Sequence, residues 1–302
     1  MALALLALLF VPFDDNSITE RSALASSVSA SKVYLPLLAA DDNGSGFASV
    51  SAGGYHTCGV KTDGTVVCWG LKDLGQATAP AGRFASVSAG LLHTCGVKTD
   101  ETAVCWGANL FGQAAAPGGN FASVSAGWQH TCGVKTDGLV VCWGYNGEGQ
   151  TDAPAGSFSS VSAGFQHTCG VKADGTLVCW DKGYGVANAP GGSFASVSAG
   201  ALYTCGVETV GTAVCWGSNE HGQAAAPGGS FASVSAGGGH ACGLKPDRTA
   251  VCWGDDGHGQ ATAPNGSFAN VSAGGWHSCG VRIDRTVVCW GHTGDGRATP
   301  PQ

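Results

Sequence analysis

The fold is decided by residues 47–83, which read FASVSAGGYHTCGVKTDGTVVCWGLKDLGQATAPAGR. This pattern returns along the whole remaining chain, and its seven copies begin at Phe47, Phe84, Phe121, Phe158, Phe194, Phe231 and Phe268. Successive copies start 37 residues apart, except that the fourth is one residue shorter. Tandem repetition with a period of about 20–50 residues is typical of solenoids and propellers.

Strand signals favour a propeller. Each copy opens with the alternating segment Phe-Ala-Ser-Val-Ser-Ala, and two more β-prone segments flank the turn Thr62-Asp63-Gly64. A three-residue loop with glycine in the left-handed position is a common hairpin connection. No segment has helical periodicity. About four short strands per copy, repeated seven times, predict an all-β, seven-bladed β-propeller rather than a β-helix.

The cysteines form one pair per copy, with ten positions between partners. The loop at residues 62–64 places Cys58 directly opposite Cys68, where Cβ atoms approach disulfide distance. Two thiolates on each separate blade cannot surround one zinc ion. The spacing therefore predicts seven intra-blade disulfides: Cys58–Cys68, Cys95–Cys105, Cys132–Cys142, Cys169–Cys179, Cys205–Cys215, Cys242–Cys252 and Cys279–Cys289.

Composition and the N-terminal segment bear on location and partners. A net charge of −7 argues against nucleic acid and acidic membranes as partners, since both need a basic surface. Residues 1–13 are apolar but too short to cross a bilayer. We predict a signal-peptide-like leader over 1–25, a linker or docked edge strand over 26–46, and the propeller over 47–302. The protein is then secreted or held at the cell surface, with membrane association only through an uncleaved leader.

The pattern S-A-G-x-x-H-T-C-G-V-K-T-D-G-T-V-V-C-W-G-x-N-x-x-G-Q resembles the regulator of chromosome condensation repeat over residues 47–302. The short unit and the G-Q-A-T-A-P linker are similar to the secreted type II β-lactamase inhibitor proteins. This resemblance implies a propeller whose partners bind at the face that carries the variable loops. The inhibitor lacks the regular cysteine pair, so the resemblance does not carry its activity over.

Strand parity places the two variable loops of every copy at one end of the ring. Large aromatic side chains at such loop positions are typical of protein-binding surfaces. The alternative is that they only cover neighbouring loops. The predicted partner-binding residues are Tyr55, Leu92, Phe111, Trp128, Gln129, Tyr145, Phe165, Tyr184, His221, His258 and Trp276.

Two residue types recur at framework positions. The histidine at His56, His93, His130, His167, His240 and His277 becomes Tyr203 in the fifth copy, and tyrosine is a poor zinc ligand. We therefore predict a repeated structural hydrogen bond there. The tryptophan of each Cys-Trp-Gly is assigned to packing between blades. No metal site, cofactor or catalytic residue is predicted.

Three classes of function remain open. The first is a monomeric secreted propeller that binds a protein or another macromolecule through its variable loops. The second is a propeller enzyme, such as a lyase or hydrolase with a site at the axial loop face. The third is a passive cell-surface or spacer protein. Guanine-nucleotide exchange is disfavoured, because the leader and the disulfides indicate a place outside the cytosol.

Overall fold

The computed structural model describes residues 46–181 and 188–301, which form seven three-stranded sheets, one for each repeat. The first strands are β1 (Phe47–Ala52), β4 (Phe84–Ala89), β7 (Phe121–Ala126), β10 (Phe158–Ala163), β13 (Phe194–Ala199), β16 (Ser233–Ala236) and β19 (Phe268–Ala273). The second strands are β2 (His56–Lys61), β5 (His93–Lys98), β8 (His130–Lys135), β11 (Thr168–Lys172), β14 (Tyr203–Glu208), β17 (His240–Leu244) and β20 (His277–Arg282). The third strands are β3 (Val66–Gly70), β6 (Ala103–Gly107), β9 (Val140–Gly144), β12 (Leu177–Trp180), β15 (Ala213–Gly217), β18 (Ala250–Gly254) and β21 (Val287–Gly291).

Three predictions concern residues that the structure does not describe. The predicted leader over 1–25, the linker or edge strand up to residue 45, and Tyr184 all lie outside the described residues. Within the described part, the first and seventh sheets each consist of strands from their own repeat. The ring therefore closes there without an exchanged strand.

Each blade has three strands, so the expectation of about four was wrong. The segment after the third strand, LKDLGQATAPAGR in the first repeat, carries turn residues and a proline that lacks a backbone donor. Only isolated bridges such as Thr102↔Asn120 pair this segment with the sheet in the described residues. The segment serves instead as the connection to the next blade.

The hairpin register confirms the cysteine prediction. Val60 lies opposite Val66, and Cys58 lies opposite Cys68, as the three-residue loop requires. All seven predicted pairs are bonded, with Cα atoms 4.0 Å apart, and no cysteine is left free in the described residues. Each bridge closes a short loop, which stabilises the fold by about 2–3 kcal/mol in the chain-entropy model.

Every disulfide also packs against the next blade. Cys58 and Val60 of the first blade contact Val87 and Trp106 of the second. At the seam, the interface between the seventh and first blades, Cys279 and Val281 pack in the same way against Phe47, Val50 and Trp69. The tryptophans thus lie between blades, as predicted, and the core is a set of seven similar interfaces rather than one central mass.

A hydrogen-bond network accompanies each of these interfaces. His56 Nε2 lies 2.6 Å from Thr94 Oγ1, and that hydroxyl donates to the Gln76 carbonyl at 3.0 Å. The same carbonyl accepts the Trp106 indole N–H at 2.9 Å. Because the threonine proton is committed to the carbonyl, the histidine must donate from Nε2. The contact recurs at His93, His130, His167, His240 and His277, which confirms a structural role for these histidines.

Tyr203 takes the histidine position in the fifth blade. Its hydroxyl donates to the His240 carbonyl and accepts the Gly237 N–H at 3.0 Å. The bond to the next blade is therefore kept by a different side chain, as predicted.

Where the first strands end, backbone hydrogen bonds join successive blades in a closed ring around the central axis. Gly54 N donates to Gly90 O at 3.0 Å, and the series returns to the first blade when Gly275 N donates to Gly53 O at 3.1 Å. A Cβ at Gly53 would lie 2.5 Å from Gly90 O. Glycine is needed there because the backbones of adjacent blades approach so closely.

We predict that acid destabilises the propeller through its buried histidines. Burial lowers the pKa of His93 and His130 to about 3, against about 6.5 in the unfolded chain. Between those values the unfolded state binds more protons, so stability falls as pH falls, by about 1.4 kcal/mol per pH unit for each such histidine. Denaturant unfolding at about pH 7 and about pH 5 measures this slope.

His130→Gln is the matched variant, because glutamine retains a donor for Thr168 and does not titrate. Its free energy of unfolding should depend less steeply on pH, because one proton fewer is taken up on unfolding. Equal stability of the parent protein at the two pH values would contradict the prediction.

The hairpin turns offer a second test. Arg248 has a φ of 70°, in the left-handed region where Gly64, Gly138, Gly175 and Gly211 stand in other blades. Arg248→Gly should raise the free energy of unfolding by about 0.5–1 kcal/mol, since relief of backbone strain exceeds the added entropy of the unfolded chain. The denaturation midpoint with disulfides intact measures the change.

Gly175→Ala is the reverse control, because its Cβ would meet Ser193 at an ordinary 3.6 Å and only the backbone is strained. This substitution should lower the denaturation midpoint. Shifts of the same sign in the two variants would refute the assignment of strain to these turns.

Candidate functional site

The two variable loops of a blade lie together at one end of the ring. In the first blade, Leu71 N donates to Tyr55 O at 3.0 Å, which joins the loop after the third strand to the loop between the first two strands. The equivalent bond forms from Ala108, Tyr145, Ser218, Asp255 and His292. We call this end the upper face, and the opposite end, which carries the hairpin turns, the lower face.

A buried glutamine shapes the loop after the third strand. Gln76 Oε1 accepts the Leu74 N–H at 2.9 Å and folds the loop back on itself. Glutamine makes the same bond in the second, third, fifth and sixth blades. The loops therefore have a common frame, and the residues between the fixed ends differ from blade to blade.

An apolar cluster occupies the upper face of the seventh, first, second and third blades. Leu71, Leu91, Leu92 and Ala108 are buried at its centre, and partly exposed side chains pack around them: Tyr55, Leu74, Trp128 and Trp276. Leu92 was predicted to bind a partner, but it is only 6% exposed. Its structural position is beneath the rings, which it supports.

Aromatic pairs extend this cluster around the ring. Tyr55 and Trp276 meet edge to face with centroids 5.7 Å apart, and Trp128 lies 3.7 Å from Phe165 of the fourth blade. We call Tyr55, Trp128, Phe165 and Trp276 the aromatic arc. Its four rings are each partly exposed, so the upper face presents a connected apolar surface.

Two further aromatic residues from the prediction form a separate pair. Phe111 and Tyr145 contact each other at 5.2 Å in the loops of the second and third blades. Gln129 is partly exposed, and its carbonyl accepts the Tyr145 N–H. Most of the predicted residues on the first four blades thus lie in two neighbouring aromatic groups.

Arg297 is a residue that the sequence predictions missed. It stands where other repeats have the loop glutamine, and it is 2% exposed. Its guanidinium donates to Gly54 O at 3.0 Å and pairs with Asp295 at 2.5 Å. It lies 4.7 Å from the Tyr55 ring centroid and 5.6 Å from that of Trp276. Cation–π contact therefore fixes one end of the arc. In the sequence, the replacement of the repeated glutamine by arginine was the feature that could have indicated this role.

The fifth, sixth and seventh blades give the upper face a different character. The sixth blade has Gly238-Gly239 where other blades carry larger side chains, and a Cβ at Gly239 would lie 3.3 Å from Asp255 and 3.7 Å from His221. His221 and His258 are exposed. The low glycine floor and the surrounding polar side chains form a second region beside the arc.

Histidines connect the two regions. The His258 and His292 rings are 4.7 Å apart, and His292 lies 6.4 Å from Trp276. Partial burial lowers the pKa of His292, and the nearby Arg297 and His258 charges lower it further. This histidine therefore favours its neutral form.

Within residues 46–181 and 188–301, no three histidine, cysteine, aspartate or glutamate side chains are grouped so as to hold a metal ion. In the same part of the chain, no helix is long and apolar enough to cross a membrane.

Solved structures with the same architecture include two plant receptor ectodomains. The ectodomain of the Physcomitrella patens receptor kinase CR4 is 29% identical, with a TM-score of 0.71 over 82% of this chain and 74% of that chain. The CRINKLY WD40 ectodomain of the Arabidopsis thaliana receptor kinase ACR4 is 28% identical, with a TM-score of 0.68 over 82% and 97%. Prp20p of Saccharomyces cerevisiae is 16% identical with a TM-score of 0.60 over 71% and 72%, which shows the shared fold. No curated protein matches the sequence.

The family model for the regulator of chromosome condensation (RCC1) repeat matches all seven blades, at residues 47–76, 84–113, 121–150, 158–180, 194–223, 231–260 and 268–297. The more specific resemblance to the type II β-lactamase inhibitor proteins stays a prediction. Seven matched repeats, each folded as one blade of a closed ring, establish that the chain belongs to the regulator of chromosome condensation repeat family.

Proposed function

We propose that this protein is an extracellular binding propeller that recognises a protein partner through its upper face. The observation that carries the proposal is the aromatic arc, which consists of two pairs of partly exposed rings, Tyr55–Trp276 and Trp128–Phe165. Both pairs reach the same buried leucine layer, against which Tyr55, Trp128 and Trp276 pack. Aromatic anchors on a preorganised base dominate protein-binding energetics. The rings belong to the loops that differ between repeats, so they are not part of the repeated framework.

Location outside the cytosol is supported by two observations. Seven disulfides are typical of oxidising compartments. The two plant structures at 28–29% identity are ectodomains of receptor kinases. Secretion through a cleaved leader and a monomeric state remain predictions.

The other two classes have less support. A passive spacer has no use for a connected aromatic surface on its variable loops, and such a surface is present. A propeller enzyme with a site at the axial loop face remains an alternative, but no constellation of described side chains favours a particular reaction.

The proposal predicts that the arc is required for partner capture. The full chain and the triple variant Trp128→Ala, Phe165→Ala, Trp276→Ala would be used as bait in the native extracellular medium. Loss of three anchors should weaken binding by at least about 100-fold, since one hot-spot residue contributes about 2 kcal/mol, or about 30-fold, and the effects of neighbouring anchors do not simply add. Melting should change by only a few degrees, because the rings are partly exposed and the disulfide-bearing interfaces between blades stay intact.

The matched control removes exposed apolar side chains from the lower face. Leu139, Val210 and Ile283 are 52%, 77% and 49% exposed in the hairpin turns. Their triple alanine variant should capture the same partner as the parent chain. Equal capture by the arc variant, shown to be folded by its melting curve, would overturn the proposal.

A further inference from the structure

Charge divides the two faces of the ring. In the described residues, the upper-face loops after the third strands carry eight acidic side chains: Asp73, Glu148, Asp152, Asp181, Glu220, Asp255, Asp256 and Asp295. The basic side chains of the same loops are Lys72 and Arg297, and the second of these is buried. Lys72 is thus the only basic side chain exposed in these loops within the described part of the chain.

The lower face is close to neutral. Its described basic side chains are Lys61, Arg83, Lys98, Lys135, Lys172, Lys245, Arg248, Arg282 and Arg285, and its acidic ones are Asp63, Asp100, Glu101, Asp137, Asp174, Glu208, Asp247 and Asp284. Turn aspartates there accept hydrogen bonds within their own hairpins, as Asp63 does from Thr65 N at 2.8 Å. The negative potential of the described ring is therefore concentrated on the upper face.

Part of this charge is available beside the aromatic arc. Asp255 Oδ1 accepts the Gly257 N–H at 2.9 Å, whereas no hydrogen-bond partner is found for its Oδ2 among the described residues. Glu220 is exposed in the neighbouring loop. Asp256 and Asp295, in contrast, are already engaged with Thr262 and Arg297. Among the acidic side chains around the glycine floor, Glu220 and Asp255 are thus the carboxylates best able to meet a positive charge.

The acidic region adjoins the arc directly. The contact series from His258 through His292 to Trp276 joins the sixth blade to the apolar cluster. A partner that covers Trp276 and extends over the glycine floor at Gly238-Gly239 would reach Asp255 and Glu220. One docking surface therefore has an apolar half and an acidic half.

We infer that the partner of the upper face is a basic protein surface, in which lysine or arginine side chains flank an apolar anchor. The anchor binds the aromatic arc, and the basic side chains bind Glu220 and Asp255. This inference rests on the proposed function and adds the chemical class of its partner. Complementary charge selects the partner and accelerates its encounter with the upper face.

The same charge disfavours other occupants of the arc. A second copy of the chain would bring two acidic upper faces together, and like charges at an interface raise its free energy. Nucleic acids and anionic lipid surfaces are also repelled. A basic protein surface satisfies both halves of the docking surface.

The test selects a displayed library of random short peptides against the immobilised full-length chain. Recovered peptides should be enriched in lysine and arginine beside aromatic or aliphatic residues, and their affinity should fall as salt is added. Glu220→Gln and Asp255→Asn should each weaken a selected peptide by about two- to five-fold, the range for an exposed ion pair. Glu208→Gln, which removes the same charge from the lower face, should have no effect.

The outcomes separate this inference from the proposal beneath it. Peptides that require Trp128, Phe165 and Trp276 but carry no positive charge would overturn the inference and leave the proposed function standing. The inference also fails if Asp255→Asn and Glu220→Gln bind as well as Glu208→Gln. If no recovered peptide depends on the arc, the proposed function itself is contradicted.

Discussion

The structure depends on the contact between one blade and the next. A single repeat is a three-stranded sheet whose two faces are apolar, and it can bury them only against its neighbours. The disulfide of each blade, with the valine or leucine beside it, packs against the phenylalanine and tryptophan of the following blade. A hydrogen bond from the framework histidine, or from Tyr203 in the fifth blade, to the following blade lies at the edge of the same interface. Apolar burial and hydrogen bonding thus act at the same place, seven times.

At the seam, the contact between adjacent blades is kept although the sequence departs from the repeat. Thr57 donates to the Arg297 carbonyl at 2.9 Å, in the position of the glutamine carbonyl elsewhere. Asn270 replaces serine and accepts the Val50 N–H at 3.1 Å across the seam. The Trp69 indole N–H, however, has no partner among the described residues. The ring is closed by the same type of contact, with two substituted side chains: the indole hydrogen bond is absent at the seam, and the Asn270 hydrogen bond is added.

A rigid framework also explains why recognition can reside in the loops. In five of the seven upper loops a buried glutamine holds the loop ends, so substitutions between those ends leave the interfaces unchanged. Arg297 belongs both to the framework and to the binding surface, because it replaces a framework glutamine and also supports Tyr55 and Trp276. The surface that we propose for binding is therefore continuous with the closure of the ring. Preorganisation of this kind reduces the entropy lost on association.

The sequence alone determined the seven-fold repeat, the hairpin register and the disulfide pairing. These features are local: a loop of three residues sets which side chains face each other, and the period repeats that geometry. It also placed the variable loops at one end, because strand direction alternates.

Only the tertiary structure decided which side chains of those loops contact one another and which stay exposed. Leu92 was predicted at the binding surface but is buried in a cluster to which several blades contribute. Arg297 lies far along the chain from Tyr55, and the ring brings the two side chains together. The number of strands was also misjudged, because β propensity does not show whether a segment finds a pairing partner. Contacts between residues of different repeats depend on the curvature of the ring, which the pattern within one repeat does not encode.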